Sequence, residues 1–138
     1  MINFQNKLIK SMKIKTRINC KFDCYLLTSK RYIIFYKGII TQENIKKILK
    51  DIDNHCKIPI FSEWKSIIVL GTTREVFNKQ DLLYFNGVNT FVCFYLINSI
   101  TNEHYMNNQW IFVLGLNYRK YIKKIEDVLK NKNHNKWQ

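Results

Sequence analysis

The segment from Lys30 to Asp53 constrains the fold of this chain more than any other. Residues 31–36, RYIIFY, are mostly β-branched and aromatic, which predicts a strand buried on both faces. Gly38 ends this strand, and the Thr41 hydroxyl caps a helix by accepting a hydrogen bond from a backbone N–H two or three residues further on. The helix predicted from Thr41 to Asn54 has an apolar stripe on one side and lysines on the other. A buried strand, a glycine turn and an amphipathic helix are the opening of an α/β sandwich.

The rest of the chain continues this alternation of strands and helices. Further strands are predicted at Lys57–Phe61, Thr90–Leu96 and Trp110–Leu114, and further helices at Thr16–Thr28 and from Tyr118 to Leu129. The predicted fold class is therefore α/β, with a single-layer mixed or parallel sheet of about four strands covered by amphipathic helices. A chain of 138 residues is one domain by size. We expect a basic N-terminal arm at residues 1–16, the α/β domain at 17–130 and a polar tail at 131–138.

Residues 62–71 permit two interpretations that lead to different folds. Ser62 is a suitable cap for a helix from Glu63 to Leu70, with Gly71 as its C-terminal stop. Alternatively, Ser66–Leu70 is itself a buried strand, because a short apolar run has no decisive periodicity. The sequence leaves both alternatives open.

Positive charge is the dominant compositional feature. The chain has 23 Lys and Arg against 10 Asp and Glu, a formal net charge of +13 and a pI of about 9.7. This balance favours polyanionic partners, nucleic acid first and an anionic membrane surface second. The chain is also rich in the residues that AT-rich codons supply, so a coding bias is a second explanation of the lysines. Residues 1–37 hold nine basic residues and a single acid, Asp23, and the final helix and tail hold a second basic cluster. We expect a phosphate-contacting surface where the two ends come together.

No pattern of catalytic, metal-ligating or cofactor-binding residues is present. The three histidines are scattered, the four glycines are isolated, and no G-x-S-x-G or C-x-x-C occurs. We therefore expect a protein that is not an enzyme, with no metal, no cofactor and no small-molecule substrate. The four cysteines are expected to be reduced thiols in an intracellular compartment. No apolar run approaches the roughly 18 residues that a membrane span needs, and no signal-peptide pattern is visible.

The order of predicted elements resembles the ribosomal stalk-base protein family, large-subunit ribosomal protein ten. The similar segments are Ile33–Gly38, the Thr41–Asn54 helix, Gly87–Phe94 and Trp110–Leu129. The resemblance implies a non-catalytic structural constituent of the ribosome that binds large-subunit rRNA beside neighbouring ribosomal proteins. The Lys-, Asn- and Ile-rich composition fits an organelle gene, which implies the mitochondrial matrix; the bacterial cytoplasm is the alternative. One departure is Phe61–Lys65, which stands where the family has a basic motif.

The hypothesis of an RNA-binding protein predicts a face of Lys and Arg side chains. Its members are Lys13, Lys15, Arg17, Lys30, Arg31, Lys37, Lys46 and Lys50. Aromatic residues near these charges are candidates for stacking on bases. They are Phe4, Tyr32, Tyr118, Tyr121 and Trp137. Tyr32 and Tyr118 are expected in the core, and Trp137 is the better candidate because its position in the tail predicts exposure.

A second resemblance belongs to a different functional class. Tyr32–Thr41, followed by Ile67–Leu70 and a helix, also resembles the small STAS-like bacterial domains, which are protein or lipid interaction modules with no RNA role. In that fold Ser66–Leu70 is a central parallel strand. Such domains tend to be acidic or neutral, so a charge of +13 disfavours them. The conformation of residues 62–71 separates the two resemblances.

Overall fold

The computed structural model describes residues 2–28, 31–55, 65–78, 85–87, 90–106 and 118–130. These residues form an α/β fold with three helices and one mixed sheet. The helices are α1 (Ile2–Ser11), α2 (Ile45–His55) and α3 (Tyr118–Lys130). The strands are β1 (Thr16–Ile18), β2 (Cys24–Thr28), β3 (Arg31–Ile39), β4 (Lys65–Thr73), β5 (Phe85–Gly87), β6 (Thr90–Asn98) and β7 (His104–Met106).

Three parallel strands form the centre of the sheet. The order across the sheet is β1-β2-β3-β4-β6-β5, and β7 also pairs with β6. β3, β4 and β6 are parallel, with Ile33 opposite Ile68 and Ile68 opposite Cys93. The flanking strands are antiparallel: β1 and β2 form a hairpin that leads into β3, while β5 and β7 pair with β6. The parallel centre therefore has antiparallel strands on both sides.

Helices cover both faces of this sheet. On one face, α1 and α3 pack over Ile33 and Phe35 of β3 and over the residues of β4 and β6 that point the same way. On the other face, α2 packs over Tyr32 and Ile34 of β3 and their neighbours. The alternation of side chains along each strand sorts successive residues into these two cores. Strands buried on both faces are typical of parallel sheets.

The predicted fold class is confirmed at the level of an α/β protein with a mixed sheet. The sheet has more strands than the four that the sequence predicted, and both of its faces are covered. The additional strands are short or arise where a helix was expected. Two of these differences have a clear physical cause.

Residues 65–73 form strand β4, so the strand alternative is confirmed and the helix from Glu63 to Leu70 is wrong. Ile67 and Val69 point into the core under α2, whereas Ile68 and Leu70 point into the core under α1 and α3. All four side chains are buried because the strand has a covering layer on each face. A surface helix would bury only one stripe of this segment. Gly71 lies within the strand and does not end a helix.

The helix predicted at Thr16–Thr28 is also wrong. This segment forms the β1–β2 hairpin, with Arg17 opposite Tyr25, and β2 continues the sheet by pairing with β3. Its apolar residues happen to match a helical spacing, but Cys24 and Tyr25 lie in different cores, as the alternation of a strand requires. Pairing with β3, which lies later in the chain, decides the conformation.

Several predicted elements are confirmed. The Asn44 N–H donates to the Thr41 hydroxyl at 3.1 Å, and the Thr41 N–H donates to the Asn44 side-chain oxygen at 2.7 Å, so Thr41 accepts from an N–H three residues further on, as predicted. These bonds close the turn that leads into α2, which begins at Ile45 and not at Thr41. Strands β3 and β6 and helix α3 occur where predicted, but the prediction that Gly38 ends β3 is wrong, because the strand continues through Gly38 to Ile39. The predicted strands 57–61 and 110–114 and the tail 131–138 lie outside the described residues.

The N-terminal basic segment contains a helix that is part of the core. Phe4 and Leu8 of α1 are fully buried against the sheet and α3. The Gln5 side-chain amide donates to the Asp23 carboxylate in the β1–β2 turn, which ties α1 to the hairpin. The lysines of this segment are thereby held on a folded surface.

We expect Phe4→Ala to destabilise the domain by about 3–5 kcal/mol, because it removes a fully buried aromatic ring and leaves a cavity. Urea denaturation followed by circular dichroism measures this change. Lys7→Ala, on the exposed side of the same helix, is the control and should change stability by less than about 0.5 kcal/mol. A loss below about 1 kcal/mol for Phe4→Ala would contradict the packing of α1 against the sheet.

Candidate nucleic-acid interface

The two ends of the described chain meet on one face of the sheet. Helices α1 and α3 share a single core with the strands beneath them. The Lys124 ammonium group of α3 donates a hydrogen bond to the Ser11 carbonyl oxygen at the end of α1, at 2.8 Å. The Tyr121 and Thr28 hydroxyls are 3.2 Å apart and join α3 to β2. Because a cation at a helix C-terminus also interacts favourably with the helix dipole, Lys124 stabilises the α1–α3 pair.

This helix pair presents a surface of exposed lysines, which we call the α1–α3 basic face. Its members lie on α1, on the segment between α1 and β1, and on the first half of α3. They are Lys7, Lys10, Lys13, Lys15, Lys120 and Lys123, all exposed. Residues 2–18 contain five basic residues and no acid. The acids of α3, Glu126 and Asp127, lie towards its opposite end, so like charges are concentrated on this face.

Lys13 lies at the C-terminus of α1 in a left-handed backbone conformation, with φ of 56°. The Lys13 N–H donates to the Lys10 carbonyl and the Ile14 N–H donates to the Ile9 carbonyl, at 3.1 and 3.0 Å. This pair of bonds is the Schellman motif, in which the position of Lys13 usually carries glycine. A residue with a Cβ is strained in this conformation. The strained position nevertheless carries a charged side chain of the basic face.

Arg17, which the sequence placed on the RNA face, is partly neutralised. Its Nε lies 3.6 Å from the Asp23 carboxylate, and the Asp23 side chain is only 12% exposed. Tyr25 lies beside the same carboxylate: burial, followed by hydrogen bonding to Asp23, raises the pKa of its hydroxyl. The only acid among the first 42 residues is therefore used to hold α1, the hairpin and Arg17 together.

The structure separates the other predicted site residues. Lys13 and Lys15 lie on the α1–α3 basic face. Lys46 and Lys50 lie on α2, on the opposite side of the sheet, and Lys37 lies near the carboxyl end of β3. Arg31, at the amino end of β3, is half-buried, and within the described part of the chain its Nε has no hydrogen-bond partner. Lys30 lies outside the described residues. The eight residues therefore do not form one continuous face.

Four lysines of the basic face were not among the predicted site residues. They are Lys7, Lys10, Lys120 and Lys123. In the sequence, these four lysines could be recognised by their spacing, which places them on the polar sides of α1 and α3. Only the packing of α1 beside α3 places these lysines on the same surface.

The α2 layer is more balanced in charge than the α1–α3 basic face. Lys46, Lys47 and Lys50 are exposed there, but Asp51 lies on the same helix and Glu43 lies in the turn that precedes it. Asp51 also forms an ion pair with Lys21 at 3.1 Å. A polyanion therefore experiences a stronger attraction on the α1–α3 side.

The aromatic residues near the charges belong mainly to the core. Phe4, Tyr32 and Tyr121 are buried and are not accessible to nucleic-acid bases. The side chains of Tyr118 and Trp137 lie outside the described residues. The described part of the α1–α3 basic face therefore offers lysine ammonium groups that can contact phosphate groups.

Three further features of the described residues concern metal ligands, a buried thiol and a cavity. No group of three or more His, Cys, Asp or Glu side chains there is arranged to hold a metal ion. Burial raises the pKa of Cys93 to about 12, so this thiol is protonated at neutral pH and is a poor nucleophile. A cavity of about 240 Å³ is lined by His104, Glu126, Leu129 and Lys130. His104 shares a 2.8 Å hydrogen bond with the buried Tyr95 hydroxyl.

No described helix is long and apolar enough to cross a membrane.

Comparison with known proteins does not assign the chain to a family. No protein-family model, curated protein or solved structure matches it significantly.

Lys13→Gly should stabilise the domain by about 0.5 kcal/mol, because glycine relieves the left-handed strain at the end of α1. Lys13→Ala removes the same charge but keeps the Cβ, so it should give no stabilisation. Thermal denaturation of the two variants separates the effect of strain from the effect of charge. Equal stabilities for both variants would contradict the strained geometry at this position.

Proposed function

We propose that this protein is a non-catalytic RNA-binding protein that contacts phosphate groups through the α1–α3 basic face. One observation carries the proposal: the terminal helices pack side by side and gather six exposed lysines on one surface. No acid from residues 2–18 lies among them. Such a surface attracts a polyanion and releases its condensed counterions.

Lysine ammonium groups determine the kind of recognition we expect. An ammonium group is a compact point charge, whereas an arginine fork matches phosphate geometry in a bidentate manner. A face made of six lysines therefore supports binding to the RNA backbone without a sequence code. Helical RNA is recognised largely by shape and by its backbone. The choice of RNA over DNA follows the resemblance to the ribosomal family.

A narrower hypothesis is that the RNA is large-subunit rRNA at the stalk base, in the mitochondrial matrix. Helix α2 and strand β6 are compatible with the order of elements in that family, which supports this hypothesis. Strand β4, however, stands where the family's order of elements has a helix, so by the criterion of residues 62–71 it disfavours this resemblance. The narrower hypothesis therefore rests on the resemblance and on the organelle-like composition, while RNA binding rests on the basic face.

A second candidate function is a STAS-like interaction module for a protein or a lipid. It is favoured by β4, which is a central parallel strand between β3 and β6, as that resemblance requires. On this alternative the lysines reflect coding bias and the protein has no RNA role. Measurement of RNA binding separates the two functions.

We expect binding of a fluorescently labelled RNA hairpin to weaken steeply with salt, because each phosphate contact releases a counterion. The triple variant Lys7→Gln, Lys10→Gln and Lys120→Gln should lower the slope of log K against log salt by about 2 to 3. Fluorescence anisotropy at several salt concentrations measures this slope.

The matched control is Lys46→Gln, Lys47→Gln and Lys50→Gln, which removes the same charge from α2 on the other side of the sheet. It should change the slope by less than about 1. Equal effects of the two triple variants would indicate a response to net charge and would exclude a specific basic face. Weak binding with a flat slope would reject RNA binding and favour the interaction module.

A further inference from the structure

Exposed aliphatic side chains gather at one edge of the sheet. The carboxyl ends of β3, β4 and β6 lie side by side; β3 ends on such a residue, Ile39, and β4 and β6 are followed within three residues by Val76 and Ile100. Ile39 is 43% exposed, Val76 is 65% exposed and Ile100 is 68% exposed. They are the exposed large hydrophobic residues of the described part of the chain. Because they lie at three neighbouring strand ends, we group these three residues as the carboxyl-edge patch.

The loops that carry this patch are joined by hydrogen bonds. The Gln42 side-chain amide donates to the Val76 carbonyl at 2.9 Å, and the Gln42 N–H donates to the Glu75 carboxylate at 3.0 Å. The Ser99 N–H donates to the Thr73 carbonyl at 2.9 Å. These bonds connect the ends of β3, β4 and β6, so the aliphatic side chains are presented on a preorganised surface.

The charge around the patch differs from that of the α1–α3 basic face. The chain segments that carry the patch hold Lys37 and Arg74 with three acids, Glu43, Glu75 and Glu103, and α2, which begins beside them, adds Lys46 and Lys47 in its first turn. The edge therefore carries both signs in near balance, with four basic residues against three acidic ones. Two molecules of net charge +13 repel each other over most approaches, and this edge permits an approach with little local repulsion.

We infer that the carboxyl-edge patch binds a second copy of this chain in a two-fold symmetric dimer. In such a contact the same patch lies on both subunits and must be complementary to itself. An aliphatic centre surrounded by both cations and carboxylates meets this requirement, because each copy offers opposite charges to the other. The basic faces of the two copies remain accessible, so the inference does not depend on the proposed function.

The dimer should be weak and should become stronger with added salt. Three aliphatic side chains per copy cover less than the roughly 800 Å² per partner of a standard stable interface, so we expect a dissociation constant of roughly 100 μM. Salt screens the long-range repulsion between two strongly cationic molecules. This salt dependence is opposite in sign to that of phosphate binding.

Sedimentation velocity of nuclease-treated protein, from roughly 10 μM to roughly 1 mM, tests the inference. In about 0.5 M NaCl we expect a monomer–dimer equilibrium, with weaker association in about 0.15 M NaCl. The double variant Val76→Asn and Ile100→Asn keeps the net charge and should raise the dissociation constant roughly 100-fold. Both residues are exposed, so the variant should fold, which its circular dichroism spectrum checks.

Other results would overturn the inference. A wild-type monomer across the whole concentration range at high salt would reject self-association. A dimer that persists unchanged in the double variant would show that another surface is responsible. Asn6→Ser, on the exposed side of α1, is the matched control and should leave the dimer unaffected. RNA binding by the double variant should equal that of the wild type, whatever the outcome for the dimer.

Discussion

The packing of three parallel strands that are apolar on both sides is the constraint on which the rest of the structure depends. Ile33, Ile68 and Cys93 lie side by side across β3, β4 and β6 and point to one face, and Ile34, Val69 and Phe94 point to the other. Such a sheet must be covered on both faces to keep its apolar side chains from water. The connection from β3 to β4 supplies α2 for one face. The other face is covered by α1 and α3, which lie more than a hundred residues apart in the sequence.

The electrostatic character of the surface follows from this covering. A helix that contributes an apolar stripe to the core must turn its polar side chains outwards. In α1 and α3 those side chains are mainly lysines, so the covering of one face also creates the α1–α3 basic face. Lys124 and Asp23 serve the packing itself, because the first holds the end of α1 and the second joins α1 to the hairpin. On α2 the lysines are accompanied by acids, and the charge there is more balanced.

The carboxyl edge of the parallel strands has a different character. Ligands of open α/β sheets commonly bind at this edge, but here its polar groups are engaged with one another. The buried Asn98 side chain donates to the Glu75 carbonyl and accepts from the Ile100 and Thr101 N–H groups. These contacts brace the loops and leave aliphatic side chains facing outwards. The aliphatic side chains of the carboxyl-edge patch therefore lie on loops that hydrogen bonds hold in place.

Local sequence determined the elements whose signals are long or chemically specific. The residues of β3 and β6, the Thr41 cap of α2 and the stripe of α3 required no partner to be identified, because burial on both faces, capping and helical periodicity act within one segment. Tertiary structure decided the conformation of residues 65–73 and 16–28. The first is an apolar run that suits a helix or a strand, and only hydrogen bonding to β3 and β6 makes it a strand. The second matches a helical spacing but pairs with a strand that comes later in the chain.

The candidate nucleic-acid interface was likewise determined partly by the sequence and partly by the tertiary structure. The sequence by itself determined that the basic residues are concentrated towards the two ends, and it predicted Lys13 and Lys15 as contacts. Which lysines share a surface depends on the side of the sheet that each helix covers. That choice is made by the packing of apolar side chains and not by the charges, so only the tertiary structure could separate Lys46 and Lys50 from Lys13 and join the lysines of α1 to those of α3.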